Sequence, residues 1–140
     1  MRWHVEIPGQ PVSWDAAYRM GRMPVKRKGM PVLTGAGEQR MIHRPVLTDA
    51  GAVWKRDVQL LVQTAKPSKF KPAGQIRVIV DLFLSHDMDD DNAMKLTRDA
   101  AAKALGVDDM RFLVCTRTKE VVSARDARVE LTFDDDPRAH

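Results

Sequence analysis

The chain has 140 residues, 44% of them hydrophobic and 30% charged, with a formal net charge of +4. That length suits one domain with its own core, hiding about 70% of the surface an unfolded chain exposes. The strongest apolar window, Ile76 to Leu84, is broken by Arg77 and Asp81 and is too short to cross a bilayer, and a lone cysteine, Cys115, excludes an internal disulfide. Glu6 puts an acid where a secretory signal needs an apolar run, so the expected setting is cytoplasmic.

Trp3 to Ile7 alternates apolar and polar side chains, the period of a strand with one buried face, and Pro8-Gly9 stops it. From Gln10 to Pro45 no period is sustained, and Pro11, Pro24, Pro31, Gly21, Gly29, Gly35 and Gly37 interrupt the chain. The expectation is a long irregular excursion over 19–44, with a short hairpin conceivable at Lys28-Gly29-Met30. Its charge is one-sided: Arg19, Arg22, Lys26, Arg27, Lys28, Arg40 and Arg44 stand against Glu38 alone. Such a segment is either a solvated loop or a phosphate grip.

Thr48 is placed to cap a helix that Asp49 favours electrostatically, with Ala50, Val53, Trp54, Val58, Leu61 and Ala65 on one stripe. Trp54 is then a packing anchor rather than a base-stacking residue. Lys66 to Pro72 forms a second basic loop, in which Lys69 and Lys71 are further candidates for phosphate contact. Gln75 to Leu84 is the strongest strand and is expected to be central, because apolar residues occupy one face and part of the other. Asn92 to Leu105 reads as an alanine-rich helix closed by Gly106. Phe112–Val122 and 127–133 read as two strands joined as a hairpin through Ser123–Asp126, with Cys115 in the core and a disordered acidic tail from 134 to 140. The order strand, long loop, helix, strand, helix, strand, strand gives an α/β (α+β) single domain: a mixed sheet of about four strands with two main helices packed on it.

The central strand delivers His86-Asp87-Met88-Asp89-Asp90-Asp91-Asn92-Ala93-Met94-Lys95, an acidic stretch in a basic protein. Asp89 and Asp91 are two apart, so on an extended chain both carboxylates project to one side. Lys95, one helical turn beyond Asp91, leans back toward them. Asp109 lies past a helix of about 14 residues, roughly 20 Å long, and joins them only if the chain returns alongside the central strand. Three converging carboxylates with an ammonium nearby suit Mg²⁺ or Mn²⁺, hard cations that take oxygen ligands and keep waters for a phosphate to replace. Two other readings of the same letters fall short. An EF-hand needs glycine where Asn92 stands and glutamate where Arg98 stands. A purely structural role, with Asp90 or Asp91 capping the helix, leaves Lys95 and Asp109 unexplained.

Asp89-Asp90-Asp91-Asn92-Ala93-Met94-Lys95, with Asp99-Ala100 and Gly106-Val107-Asp108-Asp109 after it, resembles the D-x-D-N-x-x-K, D-A, D-D signature of RusA-type Holliday junction resolvases. Ile7 to Ser13 is similar to that family's proline-containing N-terminal segment, and Thr48 to Lys55 to its helix start. Asp90 stands where the family carries an apolar residue, Asp87 is extra, and the excursion over 19–44 is longer than the family's. The resemblance implies that Asp89, Asp91 and Asp109 bind divalent metal, that Lys95 joins them as a catalytic residue, and that Lys119, a basic residue on the strand after the second acid pair, is a further candidate for DNA contact. It also implies a homodimer, since a four-way junction has two-fold symmetry and needs paired nicks. The expected activity is therefore Mg²⁺-dependent cleavage of four-way DNA junctions in bacterial or phage-encoded recombination and repair. A junction-binding protein without turnover and a less selective metal nuclease acting on flaps or forks are the alternatives.

Overall fold

The computed structural model describes residues 1–136. Alternation puts Trp3, Val5 and Ile7 on the buried face of β1 (Arg2–Pro8), and Val129, Leu131 and Phe133 on that of β8 (Arg128–Asp134). Ile76, Val78, Val80, Leu82 and Leu84 do the same for β6 (Ile76–Leu84). With β7 (Phe112–Val121) these strands form one mixed sheet in the order β1-β8-β6-β7. β6 is central, as its two-faced apolarity demands: it pairs antiparallel with β8 and parallel with β7. β7 and β8 are therefore not the hairpin expected from their separation in sequence. The connection between them crosses the end of β6, where the Val122 amide donates to the Leu84 carbonyl at 2.8 Å.

Two helices join the apolar side of the sheet in one continuous core. Along α2 (Asp49–Ala65) the buried residues are Gly51, Trp54, Val58 and Val62, a stripe turned slightly from the expected one, so that Val53 is exposed. α3 (Asp90–Leu105) buries Ala93, Leu96, Ala100 and Ala101, whose small side chains allow close packing, and Gly106 ends it at φ 67°. Trp54 fastens the helices together by donating from Nε1 to Thr97 Oγ1 at 2.9 Å. It is the packing anchor that its stripe predicts.

The expected irregular excursion is instead a β-ribbon. After the four-residue helix α1 (Trp14–Ala17), β2 (Tyr18–Pro24) pairs antiparallel with β5 (Met41–Leu47) from Tyr18↔Leu47 to Pro24↔Met41. The ribbon continues into β3 (Lys26–Arg27) and β4 (Met30–Pro31), a hairpin at the place suggested by Lys28-Gly29. Both of these turn residues have positive φ, 53° and 78°, as a two-residue turn matched to strand twist requires. The ribbon shows no period in sequence because it buries neither face: β5 is largely exposed between Ile42 and Pro45. Prolines at 24 and 45 are tolerated because every strand of a two-stranded ribbon is an edge.

Two smaller expectations change. Cys115 is exposed on β7, an edge strand, rather than in the core. The acidic end is ordered further than its composition suggests. Asp134 closes β8 opposite Arg2, and Asp135 accepts from the Met1 ammonium at 2.7 Å, which raises the pKa of that ammonium. The rest of the expected tail, 137–140, lies outside the described residues.

Candidate functional site: an acidic cleft along the third helix

The cleft begins where β6 ends. Pro8-Gly9 turns the chain after β1, and Gln10 then reaches across to accept from the Ser85 amide at 2.6 Å and the Ser85 hydroxyl at 3.0 Å. This fixes the start of the acidic stretch. Asp89 caps α3, its Oδ1 accepting from the Asp91 amide at 3.2 Å, so the cap is neither Asp90 nor Asp91. Asp90 and Asp91 occupy the first turn, where the helix dipole favours anions. Asn92, also inside the helix, lines the cleft and is not the cap.

A cleft of about 430 Å³ runs along α3 and contains Asp89, Asp91, Lys95, Arg98 and Asp109. All four residues expected to be catalytic therefore share one concavity, but the three carboxylates do not meet at a point. β7 runs parallel to β6, with Phe112 opposite Ile76, so the chain returns beside the start of β6 and not beside its acidic end. Asp109, first residue of a short 3-10 turn, consequently approaches α3 near Arg98. Arg98 Nη2 donates to the Asp109 carbonyl at 3.1 Å, and Nε lies 3.8 Å from its carboxylate. Arg98 is seven residues beyond Asp91, or about 10 Å along a helix axis. Among the described residues no three metal-ligating side chains are grouped closely enough to hold an ion.

Lys119 meets the acidic stretch through a break in strand register. Val80 pairs with Thr116 but Asp81 with Thr118, leaving Arg117 as a bulged residue on β7. Without the bulge, Lys119 would fall on the face away from the helices. With it, Lys119 pairs with Leu82, whose side chain faces the core, and its ammonium reaches Asp90 at 3.0 Å and Asp87 at 3.2 Å. These two carboxylates raise the lysine pKa, Asp90 more than Asp87. The bulged Arg117 turns back to fork onto Asp81, with Nη2 at 2.6 Å and Nε at 3.0 Å, and this guanidinium holds the buried carboxyl below its ordinary range.

The other expected DNA contacts are dispersed. Arg19, Arg22, Lys26, Arg27, Lys28, Arg40 and Arg44 lie exposed along the ribbon and its tip. Lys69 and Lys71 flank Phe70, which is buried and pins their loop to the core. Trp14, Asp15 and Arg98 line the cleft without having been singled out in the sequence. Arg98 follows Lys95 by three positions and Asp91 by seven, so helical spacing alone could have found it. Trp14 sits on a helix too short to show a period, and its ring lies beneath the Lys95 ammonium, 4.7 Å from the centroid.

No protein-family model and no curated protein matches the chain. A solved structure of IspF from Plasmodium falciparum, in a CDP complex, is similar over 94% of this chain and 92% of that one, at 10% identity and a TM-score of 0.35. A likeness of that size carries no argument about function.

Proposed function

We propose that the protein is a Mg²⁺-dependent, structure-selective endodeoxyribonuclease that resolves four-way DNA junctions as a homodimer in the cytoplasm, the reading that the RusA-like signature suggests. The observation that carries it is how the charges at the start of α3 are divided. Lys119 pairs with Asp87 and Asp90, whereas no cationic side chain lies within ion-pair distance of Asp89 or Asp91 among the described residues. Two exposed carboxylates in an open cleft fit Mg²⁺, which needs only one or two from the protein when substrate phosphate and water complete its shell. Asp89 and Asp91 would hold the ion, with Asp109 the third carboxylate of the cleft and Mn²⁺ a substitute. Bound there, the ion would supply Lewis-acid polarisation of a phosphodiester and a water of lowered pKa.

The chain's own groups provide the rest. Lys95, oriented by the Trp14 face, offsets negative charge as the phosphorane forms, and Arg98 offers a second cation further along the cleft. The exposed basic ribbon and the Lys69–Lys71 loop would hold the arms of the junction through phosphate contacts. A two-fold dimer would present one cleft to each of the strands to be cut.

Asp91→Asn tests this directly. We expect it to bind a synthetic four-way junction as the wild type does and to lose cleavage at least 100-fold, and we expect excess EDTA to abolish wild-type cleavage. Full cleavage in either case refutes the proposal. The ribbon by itself would equally suit a junction-binding protein without turnover, which would bind the same DNA and never nick it. A less selective metal nuclease would cut flaps and forks as readily as junctions.

A further inference from the structure

A second cleft, of about 370 Å³, opens on the other side of Trp14 and Asp15. It is lined by Trp14, Asp15, Tyr18, Arg19, Met20 and Pro45. The two aromatic rings lie 4.5 Å apart at 48°, and both residues line the cleft and are only half-buried. The ribbon side of the lining is apolar too: Met20, 66% exposed, is the cross-strand partner of Pro45.

This platform is rigidly mounted, unlike a loop tip that happens to carry aromatics. Ser13 caps α1, and the Thr48 hydroxyl donates to the Ala16 carbonyl at 2.9 Å. The Thr48 amide donates to the Ala17 carbonyl at 2.7 Å, while Gly51 brings the start of α2 directly against Ala17. Trp14 is the shared wall: Lys95 of the acidic cleft stands over its ring.

We propose that the second cleft is a stacking subsite for one unpaired nucleobase of the strand whose phosphate enters the acidic cleft. This rests on the nuclease reading above. The chemistry favours a base over other occupants. Tryptophan, tyrosine and methionine surfaces suit a flat π-system of any base identity. Arg19 in the lining and Lys95 over the Trp14 ring complement the flanking phosphates, while Asp15, which lines both clefts, opposes phosphate in the subsite itself. A nucleotide anchored there has its base out of the helical stack, which the strand exchange point of a branched DNA allows more readily than an intact duplex does.

The test is binding in EDTA, where cleavage does not interfere, to four-way junctions carrying a single abasic residue moved step by step through the exchange point. Wild type should bind about tenfold more weakly when the abasic residue occupies one particular position, the loss expected for one stacked base. Tyr18→Ala should bind the intact junction about tenfold more weakly and be indifferent to the abasic residue, whereas Tyr18→Phe should behave as wild type. Equal melting temperatures for the three proteins would exclude a folding defect, and Met20→Ser is a second probe should Tyr18→Ala fail to fold. Cleavage in Mg²⁺ without abasic sensitivity at any position overturns the subsite and leaves the nuclease standing. Abasic sensitivity in a protein that never cleaves does the reverse, and failure to bind any DNA overturns both.

Discussion

At the scale of single residues, Lys119 shows how a surplus of like charge is made tolerable. Four acids fall within 87–91, yet only Asp87 and Asp90 have the Lys119 ammonium between them. Replacing Lys119 by Gln leaves these two carboxylates facing each other and their neighbours. We expect a melting temperature lower by a few degrees at low ionic strength, shrinking in high salt because the pair is exposed and screened. Adding Asp90→Asn to Lys119→Gln should restore most of the loss. A double variant no more stable than Lys119→Gln would show that the pairing has no energetic role. The Asp89, Asp91 and Lys95 trio was legible in the sequence because its members lie within seven consecutive residues. The Arg98–Asp109 contact was not, since it depends on where the chain returns after Gly106.

At the scale of elements, two irregularities carry the site, and neither is visible as a sequence period. One is the bulge at Arg117. Its carboxylate partner Asp81 is buried and its pKa is held down chiefly by the hydrogen bonds from Arg117. A carboxyl depressed in the folded state contributes stability above the ordinary carboxylate pKa, and that contribution is lost as pH falls through the lower, folded value. Asp81→Asn should therefore melt a few degrees below wild type at neutral pH, with the gap closing as the pH is taken well below 4. A gap that persists unchanged to pH 2 would assign the loss to packing. The variant should also weaken the hold of Lys119 on Asp90, because the same bulge aims both side chains. The second irregularity is the contact of Gly51 with Ala17. In most helices Gly→Ala stabilises by about 1 kcal/mol. Here an added Cβ would lie 2.8 Å from the Ala17 carbonyl oxygen and 3.0 Å from its Cα, both backbone atoms that cannot swing aside. Overpacking should prevail, and Gly51→Ala should destabilise by about 1–2 kcal/mol in urea unfolding. A stabilised variant would mean that α1 shifts freely, and with it the mounting of Trp14.

At the scale of the molecule, a conventional half-buried sheet carries a ribbon that is exposed on both faces, and this contrast explains which half of the fold was readable. β1, β6 and β8 each bury one face on the helices, so their alternation announces them, and β6 announces its central place as well. The order of the strands was not readable, because hydrophobic alternation does not say which neighbour a strand takes: β6 inserts between β7 and β8 although the latter two are consecutive. β2 and β5 hide from the same test because they pair only with each other. What the sequence does show of the ribbon is its charge, seven cations between Arg19 and Arg44 against one acid. Such a ribbon, two strands wide, has the dimensions that a major groove admits. Replacing residues 21–44 by a two-residue Asn-Gly turn should leave the domain folded, since the core lies in the sheet, α2 and α3. On the proposed nuclease reading, it should also remove most of the electrostatic grip on DNA. If four of the six cations removed, Arg19 being retained, touch phosphate, the slope of log affinity against log salt falls in magnitude by about 4, and junction binding weakens most at low salt. The cleft residues Asp89, Asp91 and Lys95 are untouched by the deletion, so residual cleavage at high protein concentration should keep its dependence on Mg²⁺. An unchanged salt slope would remove the ribbon from the DNA interface and leave the Lys69–Lys71 loop and the cleft rim to supply the contacts.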